Sequence, residues 1–303
     1  MTEVSFFLQL LITGVSIGCV YALAALGFVL IYKSSRVINF AQGELIAIGA
    51  CLIFALNVWL KVPIWIALAL AIVALFFIGQ GIERVFLRPM IGEPIISVIM
   101  VTIGLASLLA GLVFFTPFGA ITASFPRFLP EPIHLSFGGI ALIIRWEQLV
   151  AILLTVVFIV ALMWFFTRST LGIAMRAVAD DQMASLSVGV SIERVFGLAW
   201  AAAGMTATAA GFVVGSWSGL EFASLVAVGL RVFPAVILGG LDSIAGAVIG
   251  GITIGILEQL SKGYLDQFIP GGGTAEVFPF IVLIVILMVK PYGLFGTVEI
   301  ERV

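Results

Sequence analysis

Long apolar runs separated by short charged clusters constrain this chain more than any other feature. A helix needs about 20 apolar residues to cross the hydrocarbon core of a bilayer, where every backbone N–H and C=O must be satisfied inside the segment. Nine runs approach that pattern: Phe6–Tyr32, Ile38–Leu60, Pro63–Ile82, Ile95–Phe115, Leu149–Phe166, Val195–Trp217, Ser224–Leu241, Ala245–Leu260 and Val277–Val289. Eight read as clear spans, and Ser224–Leu241 is doubtful because Arg231 and Pro234 interrupt it. The expected fold is an all-α polytopic membrane bundle of eight or nine spanning segments with broken helices, one transmembrane domain over residues 1–303.

Charge supports the same reading. Only 10% of residues are charged against 62% hydrophobic, too few to wet the surface of a soluble domain. No basic stripe could neutralise a phosphate backbone, so nucleic acid is not expected as a partner. Glu3 precedes the first run without any Lys or Arg, unlike the basic start of a cleaved signal, so that run reads as a true span. With the N-terminus outside, one set of loops holds Lys33, Arg36, Arg84, Arg88, Arg168, Arg176, Arg194, Lys290 and Arg302. The opposite set holds Lys61, Arg127, Arg145 and Lys262. The bias places the first set and the C-terminus in the cytoplasm. Residues 116–148 then form an external loop, rich in proline and aromatic residues. Its readings are a structured cap over the helices or a docking surface for an external partner. Residues 167–194 are cytoplasmic.

Three stretches carry candidate chemistry. From Thr170 to Gly189 the chain has helical composition, too short and too charged to span, with Gly189 placed as a C-terminal stop. A short amphipathic helix pair of this kind inserts into a partner's groove or is simply a helical surface loop. In Arg36–Glu44, Asn39, Gln42 and Glu44 stand where an apolar helix should begin. Asn39 and Gln42 have the spacing of a capping box, and the polar group is also what a discontinuous helix lining a passage would show. In Gly229–Ser243, Arg231 is costly in lipid unless paired or wetted. Pro234 breaks the helix ladder, and Gly239 and Gly240 allow a turn before Asp242. The two interrupted stretches lie in opposite halves of the chain and run in opposite senses, the pattern of an inverted-topology repeat. Four GxxxG pairs, Gly14/Gly18, Gly211/Gly215, Gly246/Gly250 and Gly251/Gly255, are read as close packing within the chain.

Several chemistries are absent from the sequence. There is no Gly-Lys dipeptide and hence no phosphate-binding P-loop, and no HExxH. Cys19 and Cys51 lie in apolar runs as packing residues, and His134 has no metal-ligating neighbours. Neither an enzyme nor a metal site is expected.

The run Gly14-Val-Ser-Ile-Gly-Cys-Val-Tyr-Ala-Leu-Ala-Ala-Leu-Gly27 with Val37-Ile-Asn-Phe-Ala-Gln-Gly-Glu44 resembles the LivH-type permease of bacterial branched-chain amino acid ABC importers. Arg88-Pro-Met with Thr102-Ile-Gly104, Met175-Arg-Ala-Val-Ala-Asp180 leading to Gly189, and Val236-Ile-Leu-Gly-Gly240 with Gly246 continue the match in order. The resemblance implies a multi-pass subunit of the bacterial inner membrane. Its partners would be a homologous LivM-type permease, two cytoplasmic ATPases carrying ATP and Mg, and a periplasmic substrate-binding protein, with no cofactor on this chain. It implies that Arg176, Ala177, Asp180, Asp181, Ala184 and Gly189 form coupling helices seated in an ATPase groove. Asn39, Gln42, Gly43, Glu44, Arg231, Gly239, Gly240 and Asp242 would line or gate the passage. Branched-chain amino acids are the default substrate, with urea, amides and aromatic acids carried by related permeases. The rival expectation is a proton-coupled secondary transporter using Glu44 or Asp242; a channel ranks third.

Overall fold

The computed structural model describes residues 3–119, 122–125, 130–137, 140–180, 182–269 and 272–296. Its helices are α1 (Glu3–Ser35), α2 (Gln42–Phe54), α3 (Ile64–Ile82), α4 (Ile95–Phe114), α5 (Trp146–Arg168), α6 (Thr170–Asp180), α7 (Gln182–Ser187), α8 (Ile192–Ser218), α9 (Phe222–Gly239), α10 (Ile244–Tyr264) and α11 (Thr274–Val289). Eight helical stretches among the described residues are long and apolar enough to cross a membrane, and α11 is a shorter apolar helix of 16 residues. This is the all-α polytopic bundle expected.

The doubtful run proves to be a full helix. α9 continues from Phe222 to Gly239 straight through Pro234, so the proline does not break it. In hydrocarbon, ending the helix would expose several backbone groups, whereas an internal proline costs about one hydrogen bond. The described chain departs from all-α in one place, an antiparallel hairpin of β1 (Ile133–Phe137) and β2 (Ile140–Ile144) within residues 116–148. β-branched residues there favour strands once the chain has left the bilayer.

The chain divides into two compact units, each discontinuous in sequence. Met1–Ala25, Arg127–Thr155 and Arg231–Val303 form the first; Leu26–Pro126 and Val156–Leu230 form the second.

In the second unit α8 is the central helix, packed on α2 and α3. Lipid supplies no hydrophobic drive between helices, so close backbone approach through small residues does the packing. α8 brings Gly204 against the Leu75 carbonyl and Gly211 against the Ile46 carbonyl. From the other side Gly79 meets the Trp200 carbonyl and Gly49 meets Thr208. Trp200 and Phe212 are fully buried beside these contacts. Phe118 and Phe125 form an aromatic cap on this unit: Phe118 stacks on Trp59 at 4.8 Å, and Phe125 meets Phe54 and Phe212 edge-on. Ala123 bridges to Leu220, which fixes the cap against the turn after α8.

In the first unit α1 packs on α10, with Gly14 and Gly18 facing Gly255 and Gly251 at backbone contact. Gly246 and Gly250 face Gly239 and Ala235 of α9, so these GxxxG pairs pack within the chain. The Gln9 side chain donates to and accepts from Ile143 at 2.9 Å each way, which seals the hairpin edge onto α1. Cys19 and Cys51 are free and buried.

Candidate functional site

The break between α1 and α2 is the most polar buried feature of the second unit. Arg36 adopts a left-handed φ of 57°, a conformation rare for a non-glycine residue and enriched at functional sites. The chain is non-helical until Gln42. Asn39 is not the N-cap that its spacing suggests, because α2 begins with Ala41 at the cap position and no side-chain cap bond. Instead, Asn39 Oδ1 accepts from the Ala41 N–H at 3.0 Å while its Nδ2 donates to Gln42 Oε1 at 3.2 Å. The Asn39 amide thus satisfies its own turn, a local closure available to Asn that competes with capping.

A residue outside the expected set holds this break. Thr102 Oγ1 of α4 accepts from the Phe40 N–H at 3.4 Å and shares its one proton between the Ile99 carbonyl of its own helix at 2.8 Å and the Ile38 carbonyl at 3.1 Å. Asn39, Gln42 and Thr102 are fully buried. Space for them comes from glycine: a Cβ on Gly27 would strike Gln42 Nε2 and Thr206 Oγ1, and one on Gly43 would lie 2.5 Å from the Val226 carbonyl of α9. Glu44 follows in the first turn of α2, 8% exposed, and its Oε2 has no hydrogen-bond partner among the described residues. A buried carboxylate oxygen left so is costly.

The other expected passage residues belong to the first unit. Arg231 of α9 is paired, with Nη2 at 2.9 Å from Glu276 Oε1 in the first turn of α11. Tyr21 and Glu258, which sequence reasoning did not single out, form a buried 2.5 Å hydrogen bond between α1 and α10. The available signal was an ionisable residue near the end of the apolar run Ala245–Leu260. Gly239 and Gly240 do turn the chain: Gly240 has φ 103°, a region where only glycine is comfortable. The open carbonyls at the end of α9 are taken up by the Leu294 and Phe295 N–H groups. Asp242 lies in that turn, ahead of Ser243, whose Oγ caps α10 through Gly246 N at 3.0 Å.

α6 and α7 form the expected helix pair, and the chain turns at Gly189 with φ 84°. Ser169 Oγ accepts from Gly172 N at 2.8 Å and starts α6. Gly172, Met175 and Val178 are buried, while Arg176 and Asp180 are exposed and Ala177 is half-buried. Asp181 lies outside the described residues. Beyond it Ala184 and Gly189 are exposed. Neighbouring Met183 and Val188 are 77% exposed and Leu186 is 49% exposed. These three large apolar side chains on a water-facing segment were not in the expected coupling set. The signal was their apolar character in a stretch too charged to enter lipid. Beneath the pair, Arg88 bridges buried Glu83 at 3.0 Å and Glu193 of α8 at 2.9 Å, and so ties the end of α3 to the base of α8.

Among the described residues no cluster of His, Cys, Asp or Glu could hold a metal ion.

The family described as the permease component of branched-chain amino acid transport systems matches residues 10–289. The chain is 32% identical to the high-affinity branched-chain amino acid transport system permease LivH of Salmonella typhimurium, over 98% of both chains. LivH of Escherichia coli K12 is likewise 32% identical over 98% of each, and BraD of Pseudomonas aeruginosa is 30% identical over the full length of both. No solved structure matches the chain.

Proposed function

The chain belongs to the branched-chain amino acid transport system permease family, and on that premise we propose that it carries hydrophobic amino acids inward through the inner membrane as one half of an ATP-driven importer. As a member of that family it is a membrane transport subunit and not an enzyme. The proton-coupled alternative built on Glu44 or Asp242 is not the reading that the family supports.

Its partners are a homologous LivM-type permease, two cytoplasmic ATPases that bind ATP and Mg, and a periplasmic binding protein that delivers substrate. No cofactor resides on this chain. Branched-chain amino acids are the substrate class, as the names of LivH and BraD state for those proteins. α6 and α7 are the coupling helices, with Arg176, Ala177, Asp180, Asp181, Ala184 and Gly189 at the ATPase groove. Closure of the ATPases on ATP moves this pair, and the Arg88 bridge from α3 to α8 passes the displacement toward the helices. Asn39, Gln42, Gly43, Glu44, Arg231, Gly239, Gly240 and Asp242 line or gate the passage.

The observation that carries this reading is the exposure of Met183 and Leu186 on α7 and of Val188 just past its end. Large apolar groups exposed to water mark an interface, and an apolar helix seats in a groove. The test is a tagged pull-down from native membranes that compares the wild-type chain with Ala184→Arg. P-loop ATPases should co-purify with the wild type and be lost from the variant. Their absence from both samples in mild detergent would refute the reading.

A further inference from the structure

A cavity of about 440 Å³ lies in the second unit where the end of α3 meets α6 and the base of α8, on the side that the positive-inside rule makes cytoplasmic. Arg84, Arg88 and Arg194 line it, together with Glu83 and Glu193. Arg88 engages both carboxylates, Glu83 at 3.0 Å and Glu193 at 2.9 Å. Arg84 and Arg194 are exposed, and neither guanidinium has an ion pair or hydrogen bond among the described residues. The lining therefore carries two unpaired cations and no unpaired carboxylate.

The height of the cavity matches the inner edge of the bilayer. α3 begins at Ile64 on the external side, and a helix rises about 1.5 Å per residue. The ~20 residues from there to Arg84 span about 30 Å, the thickness of the hydrocarbon core. At this level the helix widens into a π turn over Glu83–Leu87, a distortion frequent at functional sites. An apolar path leads along the same face of α3 to the cavity. Phe77 is 63% exposed. Gly81 follows one turn on, with nothing within 4 Å of where its Cβ would stand, and Arg84 comes at the spacing of the next turn.

This combination selects an anionic phospholipid. A guanidinium matches a phosphate through paired N–H donors, and basic pockets between membrane helices on the cytoplasmic side hold anionic headgroups for this reason. At ~30 Å³ per water the cavity equals about fifteen water volumes, room for a glycerophosphate headgroup. The ammonium of a zwitterionic headgroup would find no carboxylate to spare. Free phosphate would use the two cations but leave the path along Phe77 and Gly81 unfilled.

We propose that this cavity binds one anionic phospholipid of the cytoplasmic leaflet, its phosphate held by Arg84 and Arg194 and an acyl chain lying along Phe77 and Gly81. The bound lipid ties the end of α3 to the base of α8 alongside the Arg88 bridge, with Leu171 of α6 in the same lining. Such a site is independent of what the protein transports.

The experiment uses the full-length protein purified in a neutral detergent, with radiolabelled dioctanoyl phosphatidylglycerol as the probe. Saturable binding is expected, and binding at least tenfold weaker for dioctanoyl phosphatidylcholine. Arg84→Gln and Arg194→Gln should each weaken phosphatidylglycerol binding about fivefold, the effect of one basic residue at an anionic membrane surface. Lys290→Gln, which removes an exposed charge outside the cavity, should leave it unchanged. Gly81→Trp, which puts an indole into the open path, should weaken it at least tenfold. Absence of saturable binding would overturn the site, as would binding that neither arginine variant alters or that Lys290→Gln weakens equally. Displacement of the lipid by millimolar inorganic phosphate, with binding untouched by Gly81→Trp, would make this a site for soluble phosphate and overturn the lipid assignment.

Discussion

Gly18→Ala changes one hydrogen to one methyl group, and the α1–α10 contact makes that change expensive. A Cβ at Gly18 would lie 2.5 Å from Ile252 Cα and 3.0 Å from the Gly251 and Ile252 carbonyl oxygens. Carbon atoms pack at about 3.5–4.0 Å, so the two helices must part by roughly 1 Å at this point. Overpacking of that kind costs about 1–3 kcal/mol. The shift also reaches the 2.5 Å bond between Tyr21 and Glu258, three residues from Gly18 on α1 and six from Ile252 on α10. Lengthened by ~1 Å, that bond falls at the edge of hydrogen-bonding distance and forfeits a further ~1.5–3 kcal/mol. Gly111→Ala in α4 is the matched control, because a Cβ there meets nothing within 4 Å. It should stabilise by up to ~1 kcal/mol through reduced backbone entropy. Unfolding free energies from denaturant titration in mixed micelles should therefore differ by at least ~2 kcal/mol between the two variants, with opposite signs relative to wild type. Equal values for Gly18→Ala and Gly111→Ala would refute the packing argument.

Two further outcomes are expected. Thr102→Val leaves the Ile38 carbonyl and the Phe40 N–H without their shared partner and should cost about 1–3 kcal/mol, while Thr102→Ser stays within ~1 kcal/mol of wild type; equal loss in both would show that the hydroxyl does not hold the break. Glu44→Gln should keep the protein as stable as wild type, because Oε2 has no partner among the described residues to lose, yet lower the uptake rate of the assembled importer; unchanged uptake would remove Glu44 from the passage.

How much of this was legible depended on how local the physics is. The spans could be read because lipid forces each one to satisfy its own backbone, so length and apolarity suffice. The α6–α7 pair and its stop at Gly189 were legible for the same reason, a short helical composition with a glycine where φ turns positive. The GxxxG pairs announced close packing, although which helix each would meet needed the structure. Pro234 misled because the local rule penalises proline, whereas the bilayer penalises ending a helix more heavily. Asn39 misled because a capping box and an Asn-closed turn share the same spacing. Thr102 and the Tyr21–Glu258 pair join residues 64 and 237 positions apart, and a single sequence carries no sign of which polar residue will meet which. The apolar residues of α7 could be read as apolar, but their exposure follows only from how α6 packs on α8.

The central claim is that this chain moves substrate inward on energy supplied by ATPases docked at α6 and α7. The direct measurement is leucine uptake into proteoliposomes that contain the complete importer, with the binding protein outside and ATP inside, in the presence and absence of a protonophore. ATP-dependent uptake that ignores the protonophore and collapses in Ala184→Arg is the result predicted. Uptake that proceeds without ATP and disappears with the proton gradient would contradict the account.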